Sequence, residues 1–269
     1  MPAFRIFKYT VYTLLIGNVA LFLAEDLAAS QVVFREGVTW PRFIEAYAQT
    51  MDTAAWVVLL LMFELETAVL SDETLRAGWA SVMSATRFVC YSVTFYSAYG
   101  YLESLGFITQ TVPLNIGDVC SLVDAGYSYV ESLNEYPALA VESCRDLSGQ
   151  ELLQIAETKI VGSYDQLERA RLLALADCIN SIDWICVVII LEVEVFLQLR
   201  GLMSGWLTRV GLVIKGVLYT ILFGVAAYWG LDGALLDFWD AALWLFAFIF
   251  IELNVFEWQS ETSLQAEAA

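Results

Sequence analysis

Asp52-Thr53-Ala54-Ala55-Trp56-Val57-Val58-Leu59-Leu60-Leu61-Met62-Phe63-Glu64-Leu65-Glu66 is the stretch that decides the fold. Its apolar run belongs to a window, Thr53–Leu70, close to the ~20 residues a helix needs to cross the hydrocarbon core of a bilayer. An acid opens the run, a Trp follows one turn later, and two acids stand near its end. The same punctuation returns at the same spacing in Asn180, Trp184, Glu192 and Glu194, and again in Asp240, Trp244, Glu252 and Asn254. The shared rule is [DN]-x3-W-x7-E-[LV]-[EN].

Each of these windows is preceded by another apolar window with its own rule, [KR]-x3-Y-[ST]. It is met by Lys8, Tyr12 and Thr13, by Arg87, Tyr91 and Ser92, and by Lys215, Tyr219 and Thr220. The six windows are Phe4–Leu23, Thr53–Leu70, Met83–Tyr101, Ser181–Leu199, Val210–Trp229 and Asp240–Trp258. The sequence therefore predicts an all-α polytopic membrane protein. Its six transmembrane helices form three tandem helical hairpins, a pseudo-three-fold repeat. A plainer explanation is that Trp marks one interface and Glu the other end of each helix. The matching base in every odd span weighs against it. Three hairpins in tandem are similar in architecture to the mitochondrial carriers. The Pro-x-[DE]-x-x-[KR] signature of that family is absent, because spans 1, 3 and 5 contain no Pro, and no residue role is carried over.

Composition agrees with a membrane protein. The 269 residues are 59% hydrophobic and only 16% charged, with mean hydropathy +0.65, against about 45–50% apolar and about 25% charged for soluble domains. There is no His. That excludes Ser-His-Asp and Cys-His catalysis, an HExxH zinc site, and haem or chlorophyll held by His. No nucleophile–base constellation appears, so the chain reads as a non-enzyme with no identified cofactor beyond a bound cation. A net charge of −18 repels nucleic acid.

The organisation expected is hairpin repeat 1 over 1–79, with an interfacial helix at about 39–50, then the third span over 80–105. An external helical subdomain follows over 106–177, the fourth span over 178–205, repeat 3 over 206–258 and an acidic tail over 259–269. Glu25-Asp26 stands where a signal-peptide cleavage site would lie, so the first window reads as a span. Arg5 and Lys8, Arg76 and Arg87, and Arg200, Arg209 and Lys215 flank one set of span ends. By the positive-inside rule both termini are cytoplasmic, the 106–177 segment is external, and the setting is a bacterial inner membrane.

In the first external loop, Thr39 can cap a helix and Pro41 fits its first turn, which places Trp40, Phe43 and Tyr47 on one side. In the subdomain, Asp118–Leu133 reads as a helix. Ser148 with Glu151 reads as the capping box of a helix running from Gly149 into span 4. Cys120 and Cys144 lie in this one sizeable external segment and are expected to form a disulfide, with Cys178 as the rival partner. Cys90 and Cys186 lie within spans and read as small hydrophobes.

The repeat brings its charges to one depth. Each odd helix meets its base about one turn in, and each even helix reaches its Glu about two turns before leaving on the same side. Lys8, Arg87 and Lys215 thus lie level with Glu64, Glu192 and Glu252 and can compensate them within a hairpin or between neighbours, with Tyr12, Tyr91 and Tyr219 one turn from each base as donors to the same carboxylates. Such charges cost ~2.5–3.5 kcal/mol each unless compensated. Residues i and i+2 on a helix lie about 200° apart. Glu66 and Glu194 therefore point elsewhere and exceed the bases, which makes them candidates for ion handling. This layer supports a cation channel or transporter for protons or a divalent metal. The alternative is a non-catalytic structural or accessory subunit. In either case the expected partners are the lipid bilayer and either a second copy of the chain or other membrane subunits.

Overall fold

The computed structural model describes residues 2–66, 79–202 and 204–248. The chain is mostly helical. Helix α1 spans Pro2–Val33, α2 Phe43–Glu64, α3 Ala80–Thr109, α5 Tyr164–Leu199 and α6 Gly205–Asp232, and a further helix, α7, covers residues 235–248. The short α4, Val141–Leu147, lies between α3 and α5. Among the described residues four helical stretches are long and apolar enough to cross a membrane: Phe4–Val33, Trp40–Glu64, Tyr164–Gln198 and Gly205–Asp232. The chain is on these grounds a helical membrane protein.

The two other expected spans stand differently. Helix α3 has the length, with 30 residues, but Ser84, Thr86, Arg87, Ser92, Thr94 and Ser97 dilute its apolar content. Some of that polarity is absorbed locally, since Thr86 and Ser92 donate to the carbonyls of Val82 and Phe88 at 2.9 and 2.8 Å. The sixth span is described only through residue 248, and its Glu252 and Asn254 lie outside the described residues, as does the 259–269 tail.

The long helices follow one another around a ring. Helix α2 packs on α1 and α3, α3 on α5, and α5 on α6. Gly100 allows the close α2–α3 approach, because a Cβ there would meet the Ile44 carbonyl oxygen at 2.8 Å. Helix α6 ends at Gly233, whose φ of 96° supplies the left-handed residue that turns the chain into α7. The ring closes through α1 and α7: Asn18 Nδ2 donates to Asp240 Oδ1 at 2.7 Å, and the Phe7 and Phe246 rings sit 5.9 Å apart, edge to face.

The interfacial helix expected at about 39–50 is not a separate element. A 3-10 turn, Trp40–Arg42, carries Pro41 and runs straight into α2, which bends at Tyr47 (φ −136°, ψ 27°). Pro41 opens a helix without interrupting one, so the only break is a single non-helical residue. Trp40, Phe43 and Tyr47 do form a file, with ring centroids 5.7 and 4.9 Å apart.

The subdomain is not helical, which corrects the sequence expectation. Between α3 and α5 the chain builds a four-stranded sheet in the order β1-β3-β4-β2, from β1 (Thr111–Leu114), β2 (Ser128–Tyr129), β3 (Leu152–Ile155) and β4 (Ile160–Ser163). Antiparallel β3 and β4 pair Leu152 with Ser163 and Gln154 with Val161. Within 118–133 only Val119–Leu122 forms a 3-10 turn, capped by Asp118, and Gly126 at φ 72° ends any helical continuation. Gly149 at φ 81° likewise blocks a helix start at Ser148. The working capping box lies at Ser163 and Gln166, where α5 begins: Gln166 N donates to Ser163 Oγ, and Ser163 N to Gln166 Oε1 at 2.9 Å. Cys120 and Cys144 are bonded, with Cα atoms 5.1 Å apart, while Cys178 is free and buried. The bond closes a small core of Val119, Leu122, Leu139, Leu147, Leu152 and Val161.

Candidate functional site

Two polar sites lie within the helix ring, at different levels along it. The first is the charged layer. Lys8 and Glu64 form an ion pair whose side chains are each 8% exposed. Tyr9 donates to the same Glu64 at 3.0 Å. The buried Tyr12 hydroxyl, the donor expected, is also directed at Glu64, though not in well-aligned geometry. In the next hairpin Tyr91 donates to Glu192 at 2.8 Å.

Glu66 and Glu194 are not surplus. Glu66 pairs with Arg87, and Glu194 receives Lys215 Nζ at 2.9 Å, each pair 21 residues apart in sequence. The expectation that these two acids exceed the bases is corrected accordingly. The reason is the helical angle between i and i+2. An even helix sits between two odd helices, so its first acid faces the preceding one and its second faces the following one. Gly211 on α6 makes room for this, because a Cβ there would collide with the Glu194 carboxylate. Tyr219 engages in contacts of its own, and Glu252 lies outside the described residues.

The second site was not foreseen. Toward the subdomain end, a cavity of about 50 Å³ lies within the ring. Asp52, Asn180 and Asp240, the first residues of the motif, line it, and so do Gln49, Asp177 and Asp237, each one turn earlier on the same helix face. Its walls are aromatic: Trp56, Trp184 and Trp244 from the motif, with Phe22, Tyr101, Trp229 and Phe248. The motif Trp rings meet there, Trp56 lying 6.2 Å from Trp184 and 6.5 Å from Trp244. Among the described residues no Lys or Arg lines the cavity.

The carboxylates are only partly satisfied. Asp240 accepts from Asn18 at 2.7 Å, and Asp237 from Gln49 Nε2 at 3.0 Å. Asp52 is 7% exposed; its carboxylate is hydrogen-bonded by Trp56 and Tyr101, while Oδ1 has no well-aligned donor. Asp52 and Asp240 are near enough to interact electrostatically, as are Asp177 and Asp237. Acids in this number with no base cannot all keep an uncompensated charge, so protons or a cation must share the cluster.

A smaller cavity of about 40 Å³ adjoins the first and shares Gln49, Tyr101 and Asp177 with it. Asn134 and Tyr136 of the subdomain line it together with Asp26 and Glu45. Asn134 Nδ2 donates to Gln49 Oε1 at 3.1 Å, so a subdomain loop reaches the wall of the main cavity. In the other direction, Leu15, Val57, Leu60, Val187, Leu222 and Phe248 form a buried apolar cluster. By position along their helices most of these residues fall between the cavity and the charged layer, so the axis is closed there.

Among the described residues no three His, Cys, Asp or Glu side chains are grouped so as to hold a metal ion. Comparison with known families, curated proteins and solved structures finds no match. What fold and sites define is a class, a helical membrane protein with a dry ion-pair layer and an aromatic, acid-lined cavity.

The sequence reading singled out Asp52, Asn180, Asp240 and the three Trp residues but took them only as boundary markers, whereas Asp52 and Asn180 stand in the middle of α2 and α5. Gln49, Asp177 and Asp237 escaped it because they lie just outside the apolar windows. An i, i+3 acid or amide pair at the start of each even span was the available signal.

Proposed function

We propose that the chain binds a cation within the bilayer and moves it across, as a channel or transporter, with the axial cavity as its cation site. The observation that carries this reading is that Asp52, Asp177, Asp237 and Asp240 share one cavity that, among the described residues, no basic one lines. Buried membrane acids facing a bundle interior mark ion paths and proton relays. On this reading the apolar cluster is a gate that must open or dewet differently during conduction. The charged layer is the clamp at the other end.

The three-hairpin repeat belongs to this proposal. It equates Asp52, Asn180 and Asp240, then Trp56, Trp184 and Trp244, and the residues it equates meet around one axis. So does the orientation, with both termini cytoplasmic and the disulfide-bonded subdomain outside a bacterial inner membrane. Reconstitution into vesicles tests the function. An imposed proton or cation gradient should dissipate with the unmodified protein and persist with Asp52→Asn/Asp240→Asn. Equal leak from both would refute the cavity as the path.

A second reading is an accessory subunit. The paired charged layer supports it, since Lys8–Glu64, Arg87–Glu66 and Lys215–Glu194 join neighbouring helices and need no transported ion to account for them. Absence of flux under every gradient, with copurifying membrane subunits, would select it.

A further inference from the structure

We infer that the cation held in the axial cavity is a small ammonium-type monocation, ammonium or a methylated amine, rather than a bare divalent metal. This rests on the cation-handling reading above. A divalent ion such as Ca²⁺ takes 6–8 oxygens at about 2.3–2.6 Å, which requires carboxylates that converge on a point. Among the described residues no such convergence occurs. Asp52 and Asp240 come from different helices and both line the cavity wall. An alkylammonium asks for something else: a few acceptors spread around its N–H groups and aromatic faces against its carbon atoms. Both are present.

The aromatic rings are those of Trp56, Trp184 and Trp244, which line the cavity with the Trp56 centroid 6.2 Å from Trp184 and 6.5 Å from Trp244. An ammonium within about 6 Å of such a ring is held by the ring quadrupole, more strongly when water is excluded. The acceptor is the Asp52 carboxylate, which is 7% exposed, hydrogen-bonded by Trp56 and Tyr101, and left with no well-aligned donor at Oδ1. The cavity volume of about 50 Å³ is a few times the 10–15 Å³ needed to seat one water-sized group. Ammonium or methylammonium fits that space, and tetraethylammonium does not. Among the described residues no basic one lines the wall to repel the ligand.

The test uses the full-length protein in lipid nanodiscs. Intrinsic Trp fluorescence and calorimetry are followed while methylammonium, ammonium, tetraethylammonium, Ca²⁺ and Mn²⁺ chlorides are titrated at constant ionic strength. Methylammonium should bind saturably and shift the Trp emission, ammonium should compete, and tetraethylammonium should not bind. Asp52→Asn should weaken methylammonium at least ten-fold. Trp184→Leu should do the same with unchanged helical circular dichroism, so that loss of binding is not loss of fold. Should Asp52→Asn fail to fold, Asp240→Asn takes its place with the same expectation. No saturable methylammonium binding, equal binding of tetraethylammonium, or Ca²⁺ or Mn²⁺ binding ten-fold tighter than methylammonium would overturn the inference. Methylammonium binding without flux would uphold the ligand class and sink the transport reading. Proton or divalent flux without methylammonium binding would do the reverse.

Discussion

The charged layer and the axial cavity hold similar residue types at different levels of the same helices, yet they are wired in opposite ways. In the layer, Glu64, Glu66 and Glu194 each have a base from an adjacent helix. In the cavity, the acids meet amides, indoles and one another but, among the described residues, no base. The difference teaches where to look for chemistry in a membrane bundle. A compensated carboxylate joins helices and resists change. An uncompensated one costs stability and is kept for what it binds. Conspicuous intramembrane Glu residues are thus the poorer guide here, and the Asp residues that pass for interface markers are the better one.

The largest effect should come from breaking the driest pair. Glu64→Gln strands Lys8, and removing one partner of a buried pair costs ~3–5 kcal/mol. Unfolding in mixed micelles measures it, and Lys8→Met added to Glu64→Gln should recover part of the loss. A Glu64→Gln protein as stable as the parent would remove the basis for calling the layer a clamp. The disulfide ranks next. Cys120 and Cys144 are 24 residues apart, and opening a loop of that length costs ~3 kcal/mol in the chain-entropy account. Cys120→Ser with Cys144→Ser should make the segment between α3 and α5 protease-sensitive while the helices stay folded.

Gly211→Ala should have a smaller effect of ~1–3 kcal/mol. Its Cβ displaces the Glu194 carboxylate and so loosens Lys215. If stability does not change, the Glu194–Lys215 contact is not what seats α6 on α5. The smallest effect on stability is expected in the cavity. Asp52→Asn removes a buried charge without stranding a base, so the protein should be as stable as before or more so, by about 1 kcal/mol. A loss comparable to that of Glu64→Gln would erase the contrast between the two regions.

Much of this was legible in the sequence, and the limits have physical causes. The long apolar helices and the disulfide follow from hydropathy and spacing, which are local properties. The pairing of Glu66 with Arg87 and of Glu194 with Lys215 depends on which helix neighbours which. The i and i+2 geometry showed that the two acids diverge but not that a base waits on the second side. The strands at Leu152–Ile155 and Ile160–Ser163 were hidden by their length: four-residue strands carry too little alternation to outweigh a plausible capping box at Ser148. The cavity needed the ring to close. Asn18 and Asp240 are 222 residues apart, and no window along the chain shows them together.

Reconstituted flux under one cation gradient, compared between two double variants, tests the central claim most directly. Asp52→Asn/Asp240→Asn removes the acids that face no base, and Glu66→Gln/Glu194→Gln removes acids that do. The account requires the cavity variant to lose flux while remaining as stable as the parent, and the layer variant to lose stability while whatever remains folded still conducts. Flux that survives in the cavity variant and vanishes in a stably folded layer variant would contradict it.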